Sequence, residues 1–284
     1  MASKEFVKGG AKFIIYDRPN GLWFTERIAI IYSDYLEYAL KAIKEVGNVN
    51  YFRLTTGSYK LNHLDFLKEN NYDNIIAFDL LSDFVTNVEG LYYLQNLELI
   101  NSDYKNIDYT RFPKLKAIYA DLSNYSYKSF SELTKLIIIR LGKYKYDDVT
   151  LFSKNKGLKK LMLRVSKIIT LKGLENFKEL EELELYQNRR LRSLEGITSE
   201  HNKTLKKIIV YSAPKLFHIN EYLSKLPDLE YLELNKLKKV DSLKFLDLMR
   251  NLKFVRINYK SIEPEDGDKE PLLRAIKRTN GRIF

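Results

Sequence analysis

Apolar residues recur along this chain in the pattern apolar-x-x-apolar-x-apolar, which returns every 19 to 26 residues through most of its length. The clearest copies are Leu158/Leu161/Leu163, Leu180/Leu183/Leu185, Leu205/Ile208/Val210, Leu229/Leu232/Leu234 and Leu252/Val255/Ile257. Weaker copies precede them: Leu136/Ile139/Leu141, Leu115/Ile118/Ala120, Leu94/Leu97/Leu99, Ile75/Phe78/Leu80 and Val49/Phe52/Leu54. A fixed period in this range predicts stacked supersecondary units, because one unit alone cannot bury its apolar face.

The repeat resembles the leucine-rich repeat, most clearly where Leu180, Leu183 and Leu185 are followed by Asn188 and Leu191. A step near 22 residues is most similar to the short bacterial, internalin-like repeats. The resemblance covers residues 49–262 and implies an α/β fold: a curved solenoid of about ten repeats with a parallel β-sheet on its concave face. The Asn that the family places after each strand is clear only at Asn188, so we expect irregular turns elsewhere, with the strands preserved.

The segments that flank the repeats predict caps, because an open end of a solenoid would expose core. Lys12–Tyr16 and Trp23–Tyr32 read as strands of a hairpin, and Ser33 can cap a helix to about Val46 that ends at Gly47. We therefore predict a hairpin-helix cap over residues 1–48 and repeats over 49–262. An acidic loop and a capping helix that begins near Pro271 complete the chain over residues 263–284.

Side chains alternate between the two faces of a strand, so the residues between the apolar positions face outwards onto the concave sheet. Tyr and Arg are the types that most often anchor protein interfaces, since they join apolar area to a polar handle. The candidate partner-binding residues are Tyr119, Arg140, Met162, Arg164, Glu184, Tyr186, Ile209, Tyr211, Tyr231, Glu233, Phe254, Arg256 and Tyr259. The alternative is that Tyr suits an exposed strand because of its high β propensity.

A row of basic residues follows the strands, four or five positions past the last apolar residue of each. This basic edge consists of Lys145, Lys167, Arg189, Lys215, Lys238 and Lys260, with Arg190, Arg192 and Lys239 beside it. It predicts an electrostatic surface for an acidic protein or for phosphates, or else a solubilising rim. Acidic residues expected on the concave face, among them Asp79, Glu98 and Glu184, would repel a nucleic-acid backbone.

Composition narrows the class of protein. The net charge of +11 favours an acidic partner or a nucleic acid, and there is no cysteine for a disulfide or a nucleophile. The first ten residues lack an apolar signal core, and no apolar run could span a bilayer, so we expect a cytoplasmic location and no membrane association. His63, His201 and His218 fall in different repeats, where we expect surface or turn roles rather than catalysis.

The sequence therefore predicts a non-enzymatic module, with no cofactor and no metal, that binds a protein partner on its concave face. The resemblance to short bacterial repeats suggests two narrower roles: a cytoplasmic immunity protein that neutralises a toxin, or an internalin-type adhesion protein. Binding of nucleic acid or another polyanion along the basic edge is a further alternative.

Overall fold

The computed structural model describes residues 3–16, 27–103, 107–121, 128–258 and 262–279. It divides into two compact units, Met1–Ala120 and Asp121–Phe284. Both units are built in the same way, from short strands that pair laterally and from return segments that carry the chain back to the start of the next strand.

The first unit begins with antiparallel strands and continues with parallel ones. Its strands are β1 (Ser3–Lys8), β2 (Ala11–Tyr16), β3 (Arg27–Ile31), β4 (Tyr51–Thr55), β5 (Ala77–Leu81), β6 (Leu99–Ser102) and β7 (Ala117–Asp121), the last at the boundary between the units. β1 and β3 flank β2 in antiparallel pairs, and β3 to β7 then pair in parallel in chain order. Helix α1 (Leu36–Val46) follows β3 and ends at Gly47, whose φ is +66°.

The second unit contains a parallel sheet in chain order. The sheet strands are β8 (Ile138–Gly142), β9 (Lys160–Arg164), β10 (Glu182–Tyr186), β11 (Lys207–Tyr211), β12 (Tyr231–Asn235) and β14 (Phe254–Ile257). A separate short pair is formed by β13 (Lys239–Val240) and β15 (Glu263–Pro264). The helices are α2 (Asn220–Leu223), α3 (Phe245–Leu248) and α4 (Glu270–Thr279).

The apolar positions of each repeat form the core between the strands and the return segments. Leu183 and Leu185 of β10, and Leu191 and Leu194 of the return that follows, have no exposed surface. A step of about 22 residues leaves little length for a return helix, so most returns are short 3₁₀ turns. These are Ser33–Tyr35, Asp65–Leu67, Glu89–Tyr93, Tyr109–Arg111, Lys128–Glu132, Thr150–Phe152, Leu174–Asn176 and Ser199–Lys203.

The turns after the strands of the second unit share one conformation. Five successive repeats place a residue other than glycine at φ between +53° and +63°: Lys143, Val165, Gln187, Ser212 and Lys236. The amide of Val165 donates to the carbonyl of Tyr186 on the next strand, at 2.8 Å, and three of the other turns repeat this bond. These turns are therefore more regular than expected, since the same backbone bond forms at Gln187, where the Asn follows, and at turns that lack the Asn.

The repeat around β6 has a different register from the predicted one. Phe78 of β5 pairs with Ile100, so the repeat is Leu97/Ile100/Ser102 rather than Leu94/Leu97/Leu99. Leu94 belongs instead to the preceding return, where it is buried directly after a 3₁₀ turn. The outward residue at the centre of β6 is therefore Asn101, and Glu98 lies before the strand.

The first cap contains the predicted pair of antiparallel strands and the helix, and in addition the strand β1, which the sequence did not predict. The predicted helix from Ser33 is a 3₁₀ turn followed by α1, and the amide of Gly47 donates to the carbonyl of Ile43 at 3.1 Å. At the other end of the chain, α4 begins at Glu270 and buries Leu272 and Ala275. The residues between the two predicted hairpin strands, and the first four residues of the strand predicted from Trp23, lie outside the described residues.

Candidate functional site

The sheet face of the second unit, opposite the core, displays three lateral rows of side chains. The strand registers place Lys160, Glu182, Lys207, Tyr231 and Phe254 in the first row, and Arg140, Met162, Glu184, Ile209, Glu233 and Arg256 in the middle row. The last row holds Arg164, Tyr186, Tyr211 and Asn235. Neighbouring strands in such a sheet lie about 4.8 Å apart, so side chains within a row are in lateral reach of one another.

Charged residues at the centre of this face form a connected network. The ammonium of Lys207 lies 2.6 Å from a carboxylate oxygen of Glu184 and 3.4 Å from Glu182, which also pairs with Lys160 at 2.8 Å. Burial alone would raise the pKa of Glu182, but the hydrogen bond from Lys160 and the charges of both lysines bring it below its usual range. The network fixes these side chains and neutralises the carboxylates.

Aromatic side chains lie directly beside this network. The rings of Tyr231 and Phe254 stack with their centroids 4.5 Å apart and an interplanar angle of 10°. The Tyr186 hydroxyl donates to Glu184 at 3.0 Å, and burial together with that carboxylate raises the Tyr186 pKa. The ammonium of Lys236 lies 5.0 Å from the centroid of the Tyr211 ring. The rings are thus held in place before any partner binds.

The acidic residues of this face are recessed. The side chains of Glu184 and Glu233 are each 12% exposed, and Glu233 lies 3.6 Å from Arg256 and 3.4 Å from the Tyr231 hydroxyl. The repulsion of anions expected from these carboxylates is therefore weaker than the sequence suggested. Ile209, a candidate contact residue, is 8% exposed and offers little surface to a partner.

The sheet face of the first unit carries a different arrangement. Asp79 is 1% exposed there, accepts a hydrogen bond from the Tyr51 hydroxyl and pairs with the Nε of Arg53 at 2.6 Å. Asp79 thus faces outwards as predicted but is covered, so it presents no charge to a partner. Tyr119 lies on β7 in this unit, whereas the other described candidate residues lie on strands of the second unit.

The basic edge lies in the turns that follow the strands of the second unit. Lys145, Lys167, Arg189, Lys215 and Lys238 are all exposed. Lys260 and the candidate contact residue Tyr259 lie outside the described residues.

The three histidines do not converge. His218 is exposed and His63 is partly exposed, whereas His201 is buried in the 3₁₀ turn Ser199–Lys203, so of the expected surface or turn roles it has the turn role. Its Nδ1 accepts from the amide of Thr198 at 3.0 Å, and its Nε2 lies 3.1 Å from the carbonyl of Leu174. In the part of the chain that the structure describes, no group of three His, Cys, Asp or Glu side chains is placed to hold a metal ion.

Comparison with known proteins identifies the class of fold. The chain is similar to the structure of an internalin from Listeria monocytogenes, with a TM-score of 0.58, 14% sequence identity and coverage of 82% of this chain and 67% of the internalin. A leucine-rich-repeat protein from Leptospira interrogans matches with a TM-score of 0.43, 16% identity and coverage of 76% and 68%. The fold is thus that of leucine-rich-repeat proteins, as the sequence predicted.

Comparison of the sequence itself adds no nearer relative. No family model matches the chain, and no curated protein does. Among the described residues, no helix has the length and apolar character needed to cross a membrane.

Proposed function

We propose that this protein is a non-enzymatic binding module that holds a protein partner on the sheet face of its second unit. The proposal rests on the stacked pair of Tyr231 and Phe254 beside the Lys207 network. Both rings are partly exposed, and stacking already fixes their conformations. Aromatic side chains in fixed conformations bury large apolar areas on binding and lose little conformational entropy.

The leucine-rich-repeat fold supports a protein partner in general terms. Stacked strands form an extended surface, and repeat proteins use such surfaces to hold other macromolecules. Arg164, Tyr186 and Tyr211 extend the aromatic and basic character along the last row. The mechanism that follows is occlusion or scaffolding by a surface that exists before the partner arrives.

Two narrower roles and a location remain predictions. Neutralisation of a toxin would require a partner whose active surface is covered in the complex, and adhesion would require a partner on another cell. Identification of the partner separates the two roles. The expected cytoplasmic location is a separate prediction, which imaging of the tagged chain in its source cell tests.

The first test is capture of partners with a variant of the proposed face. Tyr186→Ala, Tyr211→Ala and Tyr231→Ala are combined in one chain, which is used as bait beside the unaltered protein in nuclease-treated lysate of the source cell. We expect a discrete protein that the unaltered chain retains at high salt and the triple variant loses.

A matched control keeps the number of tyrosine substitutions constant. Tyr35, Tyr38 and Tyr93 are 60%, 68% and 61% exposed and lie away from the strands, so their triple alanine variant should retain the partner. Equal loss of the partner in both variants, or a partner that is retained only when nuclease is omitted, would contradict the proposal.

A further inference from the structure

We infer that the basic edge of the second unit is a second contact site, which binds an acidic polypeptide segment of the partner; this rests on the proposed function. The basic edge here means the described residues Lys145, Lys167, Arg189, Lys215 and Lys238, with Arg190, Arg192 and Lys239 beside them. Charge is distributed unevenly between the two ends of the strands.

The turns after the strands are far more basic than the turns before them. Residues 143–148, 165–172, 187–195, 212–218 and 236–241 contain eleven basic and four acidic residues. The segments that lead into the strands, 153–159, 175–181, 199–206, 221–230 and 249–253, contain nine basic and seven acidic residues. Excess positive charge is therefore concentrated at the carboxyl ends of the strands.

The two ends also differ in how their charges are paired. Before the strands, four of the nine cations pair with a carboxylate, among them Lys159 with Glu181 at 2.8 Å and Lys253 with Glu230 at 2.5 Å, both across neighbouring repeats. Lys178 and Glu200 make the same kind of pair. These pairs between repeats neutralise part of the positive charge at the amino ends of the strands.

Three of the four carboxylates among the turns of the basic edge already have partners; the fourth, Glu195, is exposed. Asp241 accepts from the amides of Ile219 and Asn220 at 2.9 and 3.0 Å, and Asp148 accepts from the amide of Thr150 at 3.0 Å. Asp147 pairs with Arg190 at 3.5 Å.

The remaining cations of the edge lack an internal partner. Within the described ranges, no carboxylate lies within 4.0 Å of the charged nitrogens of Lys145, Lys167, Arg189, Lys215 or Lys238. These exposed charges are therefore available to an external anion, and they repel one another until one binds.

The basic edge continues directly from the proposed protein-binding face. Tyr186 and Tyr211 of the last row are each followed directly by a residue with positive φ, Gln187 and Ser212 respectively. The chain then enters the basic edge, for example at Arg189. A polypeptide lying over Tyr211 could therefore place carboxylates on the edge and apolar side chains on the aromatic pair of Tyr231 and Phe254. A nucleic acid carries charge at every nucleotide and does not match this division.

Fluorescence anisotropy on the purified full chain tests the site. One probe is a labelled peptide of alternating glutamate and serine, and the other is a labelled oligothymidine of equal charge. The edge variant carries Lys167→Gln, Arg189→Gln, Lys215→Gln and Lys238→Gln. The control variant carries Lys154→Gln, Lys156→Gln, Lys203→Gln and Arg250→Gln, which remove the same charge from exposed positions before the strands.

We expect the edge variant to raise the Kd for the peptide by about tenfold and the control variant by less than about twofold, since local rather than net charge would attract it. An equal loss in both variants would overturn the inference, as would tighter binding of the oligothymidine than of the peptide. The triple variant Tyr186→Ala, Tyr211→Ala and Tyr231→Ala should still bind the peptide, because it leaves the basic edge unchanged. The peptide assay therefore tests the basic edge separately from the sheet face.

Discussion

Asn188 accepts two hydrogen bonds from Ser166, the residue at the equivalent position of the preceding repeat. Its Oδ1 lies 3.0 Å from the amide nitrogen and 2.5 Å from the hydroxyl of Ser166, and its Nδ2 donates to the carbonyl of Leu163 at 3.1 Å. Both side chains are buried. One amide side chain thus ties the turn of one repeat to the turn of the next, at the position where the family places its Asn.

Loss of the Asn188 side chain should destabilise the second unit. Asn188→Ala leaves a buried amide, hydroxyl and carbonyl without partners, and we expect a loss of about 2–3 kcal/mol in the free energy of unfolding, on the scale of such desolvation costs. Ser166→Ala removes the hydroxyl itself, so no buried donor is left without an acceptor, and we expect a cost of about 1 kcal/mol. Urea unfolding followed by circular dichroism measures both; equal effects would contradict the account.

Replacement of Val165 by glycine should stabilise the protein. Its φ is +54°, a conformation that a β-branched side chain rarely adopts, and its side chain is 46% exposed with little packing to lose. We expect Val165→Gly to raise the free energy of unfolding by about 1 kcal/mol, because it relieves left-handed strain. Lys145→Gly, at an exposed turn residue without positive φ, is the control and should not stabilise the protein.

His201 should make the stability depend on pH. Burial lowers its pKa, although the bond to the Leu174 carbonyl partly offsets this. A folded-state pKa below the unfolded one means that the unfolded chain takes up a proton first as pH falls. Stability is therefore fully present above about pH 6.5 and is lost progressively below it, until the folded pKa is reached.

Urea unfolding at about pH 7.5 and about pH 5.5 measures this effect, with the range chosen around the usual histidine pKa. We expect His201→Gln to be less stable than the unaltered protein at the higher pH and to show a smaller loss on acidification. His218→Gln, a change at an exposed histidine, should keep the original pH dependence. The same pH dependence in all three proteins would show that His201 is not its source.

The pair of Arg53 and Asp79 should behave as a covered ion pair in the first unit. Arg53→Met leaves the nearly inaccessible carboxylate of Asp79 without its cation, and we expect a cost of about 3–5 kcal/mol. Adding Asp79→Leu removes that charge as well, so the double variant should recover much of the loss. A double-mutant cycle measured by thermal unfolding decides this; strictly additive losses would contradict the pairing.

Much of the fold could be predicted because the apolar positions repeat so regularly. Leu183 and Leu185 identify both the strand and its buried face, and the same spacing locates each strand of the second unit. The error at β6 arose where the pattern is ambiguous, because Leu94, Leu97 and Leu99 fit it better than Leu97, Ile100 and Ser102. Ser102 is fully buried at a position where a leucine was expected.

The composition of the candidate site could be predicted, but its electrostatics could not. Alternation along the strands correctly placed Glu184, Tyr186 and Glu233 on the sheet face. Their exposure depends on lateral neighbours, and no sequence pattern shows that Lys207 lies 2.6 Å from Glu184 or that Asp79 is covered. The left-handed turn at Val165 was missed because the residue itself disfavours it.

Photocrosslinking shows whether a protein partner lies on the sheet face of the second unit. A benzophenone amino acid replaces Tyr211 on that face in one chain and Tyr222 in α2, within a return segment, in another; both tyrosines are partly exposed. After irradiation in source-cell lysate, mass spectrometry identifies the crosslinked species. We expect one discrete protein crosslinked from position 211 and not from position 222. The same protein crosslinked equally from both positions, or crosslinked from position 222 alone, would contradict this expectation.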